Sequence, residues 1–190
     1  MKYSGDFEKF EVILTDIDAS KLKNVRFGNP VIADGCNLPF KDNGFDIVVS
    51  VDVLEHIPQD VRKKFLEELK RVCRKSVLLH FVVHDPENGF LGKDADLKFQ
   101  EWHIRKFKKP DPATAEHIAA NHPSLKEVQV VFDNSPIIKG TQNVNIWFRY
   151  MTFRSSIIGF LAGFLYYSLW KRRDGKPPFH GCFLKWDKNE

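Results

Sequence analysis

Three short apolar runs, each stopping at an acidic residue or a loop, constrain the fold of this 190-residue chain more than any other feature. Val12-Ile13-Leu14 leads into Thr-Asp-Ile-Asp, Val31-Ile32-Ala33 leads into Asp34-Gly35-Cys36, and Phe45 to Val51 leads into Asp52. Unbroken apolar runs of this kind mark strands buried on both faces, as the strands of parallel sheets are. In an α/β protein, ligands collect just beyond the carboxyl ends of such strands. Acidic side chains there can hydrogen-bond ribose hydroxyls and an adenine amino group. The stretch Glu11 to Pro58 therefore points to a nucleoside-containing cofactor.

The rest of the first half extends the pattern. Pro58 signals a helix start, with Asp60 as its expected N-cap. Val61, Phe65, Leu66, Leu69, Val72 and Cys73 then fall on one helical face. Ser76 to Val83 is a further strand. Strand, short helix, strand, strand, helix, strand is the grammar of a doubly wound α/β sheet. Residues 85–96 read as a loop, and Pro112 to Ala120 as a helix with proline in its first turn. The alternation from Leu125 to Phe132 predicts a strand. A final strand is expected over Phe179–Trp186, after the Pro177-Pro178 turn. The expectation is one domain over residues 1–190, with a lid or insert within 85–175.

Composition narrows the function classes. Hydrophobic residues at 43% and charged residues at 28% are ordinary for a globular chain. A net charge of only +4 gives no electrostatic case for nucleic acid. Cys36, Cys73 and Cys182 are far apart and read as reduced thiols. The amino terminus has no apolar signal core. A cytoplasmic location, with membrane association as an alternative, is the expectation. His80 with His84, and His117 with His122, have no cysteine or carboxylate at ligand spacing in the sequence, so no metal site is expected.

The segment LPFKDNGFDIVVSVDVLEHIP (Leu38 to Pro58) resembles the class I S-adenosylmethionine-dependent methyltransferases. It is most similar to the methyltransferase type 11-like group, whose fourth strand is preceded by L-P-F-x-D/N-x-x-F-D and followed by L-E-H-I. The resemblance covers Glu11 to Val83 well and His180 to Lys185 more loosely. It implies a Rossmann-like, mostly parallel doubly wound sheet with an antiparallel C-terminal edge strand, and S-adenosylmethionine as cofactor. By resemblance, Asp16 matches the acid that binds the ribose hydroxyls, with Asp18 as its rival, and Ile17 packs on the adenine. Asp34 matches the acid near the adenine amino group, with the Gly35 and Cys36 amides alongside. Ser50 and Val51 lie where the fourth strand opens toward the methionine part, while Asp46 sits at the opposite strand end and is structural. Glu55 and His56 tempt a general-base assignment, yet in this family the pair more often organises the loop. His56 is the weak catalytic candidate. Trp102 and His103, in the basic and aromatic run Lys98 to Lys109, are speculative substrate-side residues.

The chain departs from the family at one place. The glycine-rich turn E/D-x-G-x-G-x-G after the family's first strand has no counterpart, since Gly5 alone precedes Glu11. The corresponding strand and helix are expected to be missing, with a gap between the strand at Val12 and the strand at Ile47. Truncation, a strand supplied by a second copy (a homodimer or strand-swapped dimer), or loss of cofactor binding would each account for this. The function expected is methyl transfer to a small or apolar molecule, a lipid included. The alternative is a non-catalytic, methyltransferase-like interaction module or a peripheral membrane protein. Ser155 to Trp170 bears on that choice: sixteen residues without a charge, with basic residues on both sides. As a helix it would reach about 24 Å, short of the ~30 Å bilayer core. A lid or dimer helix, a membrane-surface helix and a true span compete, in that order.

Overall fold

The computed structural model describes residues 10–133, 136–154, 169 and 173–188. The stretch 155–168, on which the apolar-helix expectation falls, lies outside the described residues.

The first two runs become β1 (Ile13–Asp16) and β2 (Asn29–Ile32), with the single turn α1 (Ala19–Leu22) between them. They pair in parallel, Asp16 opposite Ile32. The third run is β3 (Phe45–Val51), parallel to β4 (Cys73–Val82). A 3₁₀ turn over Leu54–His56 and α2 (Gln59–Val72) connect them. After β4 come a hairpin of β5 (His84–Asp85) and β6 (Phe90–Leu91), then α3 (Gly92–Phe107), α4 (Pro112–Ala120) and α5 (Leu125–Val131). The chain continues through β7 (Ile137–Asn143) and α6 (Val144–Arg154) to β8 (Phe179–Asp187). β8 runs antiparallel to β4 on one side and to β7 on the other. β7 therefore points the same way as β3 and β4, while the C-terminal strand and the two-residue β6, parallel to it, run the opposite way in a mostly parallel α/β sheet.

The core lies where α2 and α5 pack against β4 and β8. Phe65, Leu66 and Leu69 of α2 and Val128 of α5 meet Val77, Leu79 and Phe81 of β4 and Leu184 and Trp186 of β8. Each such side chain contributes roughly 1.5–3 kcal/mol by leaving water. None of the described helices is long and apolar enough to cross a membrane.

Four local expectations are corrected. Leu125 to Phe132 is helical, because Ser124 and Glu127 form a reciprocal capping box and Leu125, Val128 and Val131 are buried at helical spacing. Residues 85–96 hold the short hairpin and the start of α3, so most of the expected loop is structured. Asp60 lies inside the first turn of α2, whose N-cap is Pro58. Cys73 is buried, as expected, but it opens β4 rather than lying on the helix.

The described strands form two separate sheets, the β1–β2 pair and a six-stranded sheet that holds β3 to β8, and the β3 edge of the larger one is unpaired among them. Among the described residues β1 pairs with β2 alone, and β3 with β4 alone. Val48 packs on the core, while Ile47, Val49 and Val51 on the opposite face are 51%, 60% and 56% exposed. Strands of a parallel sheet are ordinarily covered on both faces.

Candidate functional site

Asp16 and Asp34 stand at the same end of the two-stranded β1–β2 sheet. Both follow the carboxyl ends of adjacent parallel strands, and the Ala33 N–H donates to the Asp16 carbonyl at 3.1 Å. The Asp16 carboxylate accepts the Asp18 N–H at 2.8 Å and lies 3.7 Å from Lys21 Nζ. Asp34 accepts the Cys36 N–H at 2.8 Å, which fixes the turn. Each acid keeps one carboxylate oxygen outside these turn bonds. Asp18 instead caps α1 by accepting the Ser20 N–H, and those bonds hold its carboxyl below the usual carboxylate range.

The flanking residues divide between ligand and scaffold. Ile17 is an exposed apolar side chain, 71% accessible. Gly35 has a packing role: a Cβ there would stand 2.7 Å from the Phe65 ring of α2. Cys36 Sγ lies 3.9 Å from the Val61 carbonyl, and burial pushes its thiol up. Ser50 is buried and Val51 exposed at the carboxyl end of β3. A shallow groove of about 660 Å³, lined by Leu14, Asp16, Lys21 and Phe27 among others, opens beside α1. It touches Asp16 but none of the other expected cofactor residues, so it is not a whole cofactor site.

Beyond β3 the chain turns polar and buried. Glu55 is wholly inaccessible, and its Oε1 accepts the Val82 N–H at 3.0 Å, so it ties the 3₁₀ turn to the end of β4. Burial pushes its carboxyl up. His56 is engaged on both ring nitrogens: Nδ1 lies 3.0 Å from Glu116 Oε2, and Nε2 lies 3.2 Å from His117 Nε2. Burial and the neighbouring His117 ring push it below the ordinary histidine value. A histidine held at both ends positions its neighbours more readily than it takes a substrate proton. Asp46 bonds Arg74 and Lys75 at the far end of β3, in keeping with a structural role.

The sequence missed a carboxylate at His117 and His122, because it comes from α3. Asp96, at 0% exposure, receives His117 Nδ1, His122 Nε2 and His180 Nε2, each at 2.8 Å. Trp147 stacks on His180 at 4.0 Å. Trp102 and His103 lie outside this hub, in a half-buried aromatic cluster with Phe99 and Phe107 on α3.

His80, on β4, bonds Asp52 at 2.7 Å and Thr141 at 3.0 Å. The Asp52 bond raises its pKa above the ordinary value, against the opposing effect of burial. A raised folded value stabilises fully below the unfolded value near 6.5, and that contribution is lost as pH rises through the folded value. NMR titration should therefore find His80 titrating above 6.5 and Asp52→Asn returning it toward 6.5. An unshifted His80 in the parent chain would remove the pair.

Residues 3–81 match a family model described as a methyltransferase domain. An uncharacterized protein of Methanocaldococcus jannaschii is 33% identical over 150 residues, 74% of this chain and 64% of the relative. A second from the same organism is 36% identical over 105 residues, 53% of this chain and 41% of that one. The chain thus spans about half the length of these curated relatives. Among solved structures, one from Thermotoga maritima is titled a SAM-dependent methyltransferase, possible histamine N-methyltransferase. It matches with a TM-score of 0.55 at 16% identity, over 93% of this chain and 72% of that one. A geranyl diphosphate C-methyltransferase from Streptomyces coelicolor, solved with S-adenosyl-L-homocysteine, matches at 0.53 and 13% identity, over 94% and 63%. At these identities the structural likeness speaks to the fold.

Proposed function

We propose that this chain, which belongs to the class I S-adenosylmethionine-dependent methyltransferase family, binds that cofactor at the carboxyl ends of β1 and β2 and transfers its methyl group to a small or apolar acceptor. The observation that carries the reading is the register of β1 on β2, which brings Asp16 and Asp34 to the same end of that two-stranded sheet. Two carboxylates there suit the vicinal hydroxyls and the exocyclic amine of adenosine. Ile17, exposed next to Asp16, offers an apolar surface for the base.

Methyl transfer asks little of side-chain acid–base chemistry. The sulfonium is already activated, and most of the rate comes from holding methyl and nucleophile in line. In such a transfer the acceptor–methyl bond would form as the sulfonium–carbon bond breaks, leaving neutral S-adenosylhomocysteine, and the acceptor's proton would pass to water. Ser50 and Val51 border the place where the methionine end would lie, beside the open edge of β3. The described residues supply the adenosine half of a cofactor site, and the methionine half depends on what packs at that edge.

Calorimetric titration with S-adenosylhomocysteine tests the assignment. Asp16→Ala and Asp34→Ala should each weaken binding by about 1.5–3 kcal/mol, roughly 10- to 150-fold, the scale of a hydrogen bond to a charged group. Equal affinity in parent and both variants would remove these acids from the site.

A second reading rests on the bare apolar row of Ile47, Val49 and Val51. An open parallel edge with an uncovered face suits addition of a strand, here from a second copy of the chain. Sedimentation equilibrium giving a dimer that Val49→Lys dissociates supports it, and a monomer at every concentration speaks against it.

A further inference from the structure

The chain holds seven histidines, and three of them converge on one carboxylate while a fourth stands behind. Asp96 comes from α3, His117 from α4, His122 from the segment between α4 and α5, and His180 from β8. Their exposures are 0%, 9%, 6% and 2%, so water does not solvate the charge.

Counting protons shows what this cluster lacks. His117 Nδ1 faces Asp96, His117 Nε2 faces His56 Nε2, and His56 Nδ1 faces the Glu116 carboxylate. Each contact to a carboxylate needs an N–H, and the contact between the rings needs one as well. Three of the four nitrogens on two rings must then carry hydrogen, so one ring must be cationic. The row of groups requires one positive charge beside Asp96. It can be a proton or a metal ion.

We propose that Asp96, His117 Nδ1 and His122 Nε2 form a binding site for one divalent transition-metal ion of the zinc class. The three ligand atoms lie within 4.8 Å of one another. Two imidazoles and a carboxylate, with no sulfur and no ring of oxygens, suit zinc and its neighbours rather than calcium or magnesium. With the ion bound, every ring in the row can be neutral. His117 then donates from Nε2 to His56, and His56 donates from Nδ1 to Glu116. This is the outer-sphere support that metal-bound histidines ordinarily have. His180 donates to the other oxygen of Asp96, fixes the carboxylate plane and is itself covered by Trp147. The site ties α3 to α4 and to the segment after it, so the ion braces the region behind the loop after β3.

The test uses the full chain, stripped with a chelator and titrated with Zn²⁺ against a chromophoric competitor, and with Co²⁺ for its visible spectrum. The expected result is uptake of one equivalent, with a rise in melting temperature that grows with free metal. His180→Gln should weaken uptake by about 10- to 100-fold through the carboxylate it orients. Asp96→Asn and His122→Gln should abolish stoichiometric uptake, and His103→Gln should leave it unchanged. Absence of uptake by the parent chain at micromolar metal overturns the proposal and assigns the charge to a proton on the His56–His117 pair. Uptake undiminished in folded His122→Gln and His180→Gln, judged by circular dichroism, overturns it equally.

Discussion

Arg62→Ala should destabilise the chain by about 3–5 kcal/mol, the cost of breaking a buried, hydrogen-bonded charge network. Arg62 lies on α2 among the core residues yet is only 2% exposed. Its Nε donates to the Ile57 carbonyl at 2.9 Å, and Nη2 donates to the carbonyls of Ala120, at 2.8 Å, and of Asn121. Nη1 lies 3.6 Å from Glu127, the residue that closes the capping box of α5. One guanidinium thus ties the start of α2, the end of α4 and the start of α5. Truncation removes the buried guanidinium that serves the carbonyls of Ile57, Ala120 and Asn121, so three part-buried bonds are lost at once. Arg62→Met keeps the apolar stem but not the donors, so it should recover less than half of the loss. Urea unfolding measures both variants, and a loss below about 1 kcal/mol for Arg62→Ala would contradict the network.

Asp96→Asn should be comparably costly in metal-free protein, again about 3–5 kcal/mol. The asparagine keeps the shape of the side chain but replaces one acceptor oxygen with a donor, facing imidazole N–H groups that have no other partner. Burial pushes the Asp96 carboxyl up, but the bonds from His117, His122 and His180 outweigh it and hold the group well below the usual carboxylate range. A depressed folded value means that the stabilisation is present above the unfolded value near 3.9 and is lost as pH falls below it. The gap between parent and Asp96→Asn should therefore be full at pH 7 and shrink in acid. A variant as stable as the parent at pH 7 would show that the carboxylate is not charged in the fold.

Much of the architecture was legible because the apolar periodicity is strong. The three acid-terminated runs, the Pro112–Ala120 helix and the strand from Phe179 all stand in the structure. Leu125 to Phe132 misled because alternation over a few residues also fits a short helix, and the Ser124–Glu127 capping signal, visible in the sequence, outweighs it. Arg62 escaped notice because a charge on a helix is ordinarily solvated, and only the tertiary fold supplies its carbonyl partners. The Asp96 hub was hidden for the same reason. Its four members span residues 96 to 180, and no local spacing joins them. Asp16 and Asp34 were legible because a strand end is a local feature, and their proximity needed only the parallel pairing of β1 with β2.

The adenosine-binding role of those strand ends is tested most directly by mapping amide chemical shifts as S-adenosylmethionine is added to the labelled chain. The largest saturable changes are expected at Asp16 to Asp18 and at Asp34 to Cys36, with Ser50 and Val51 next. Changes confined to the α3 aromatic cluster or to the histidine hub, with the ends of β1 and β2 silent, would contradict it.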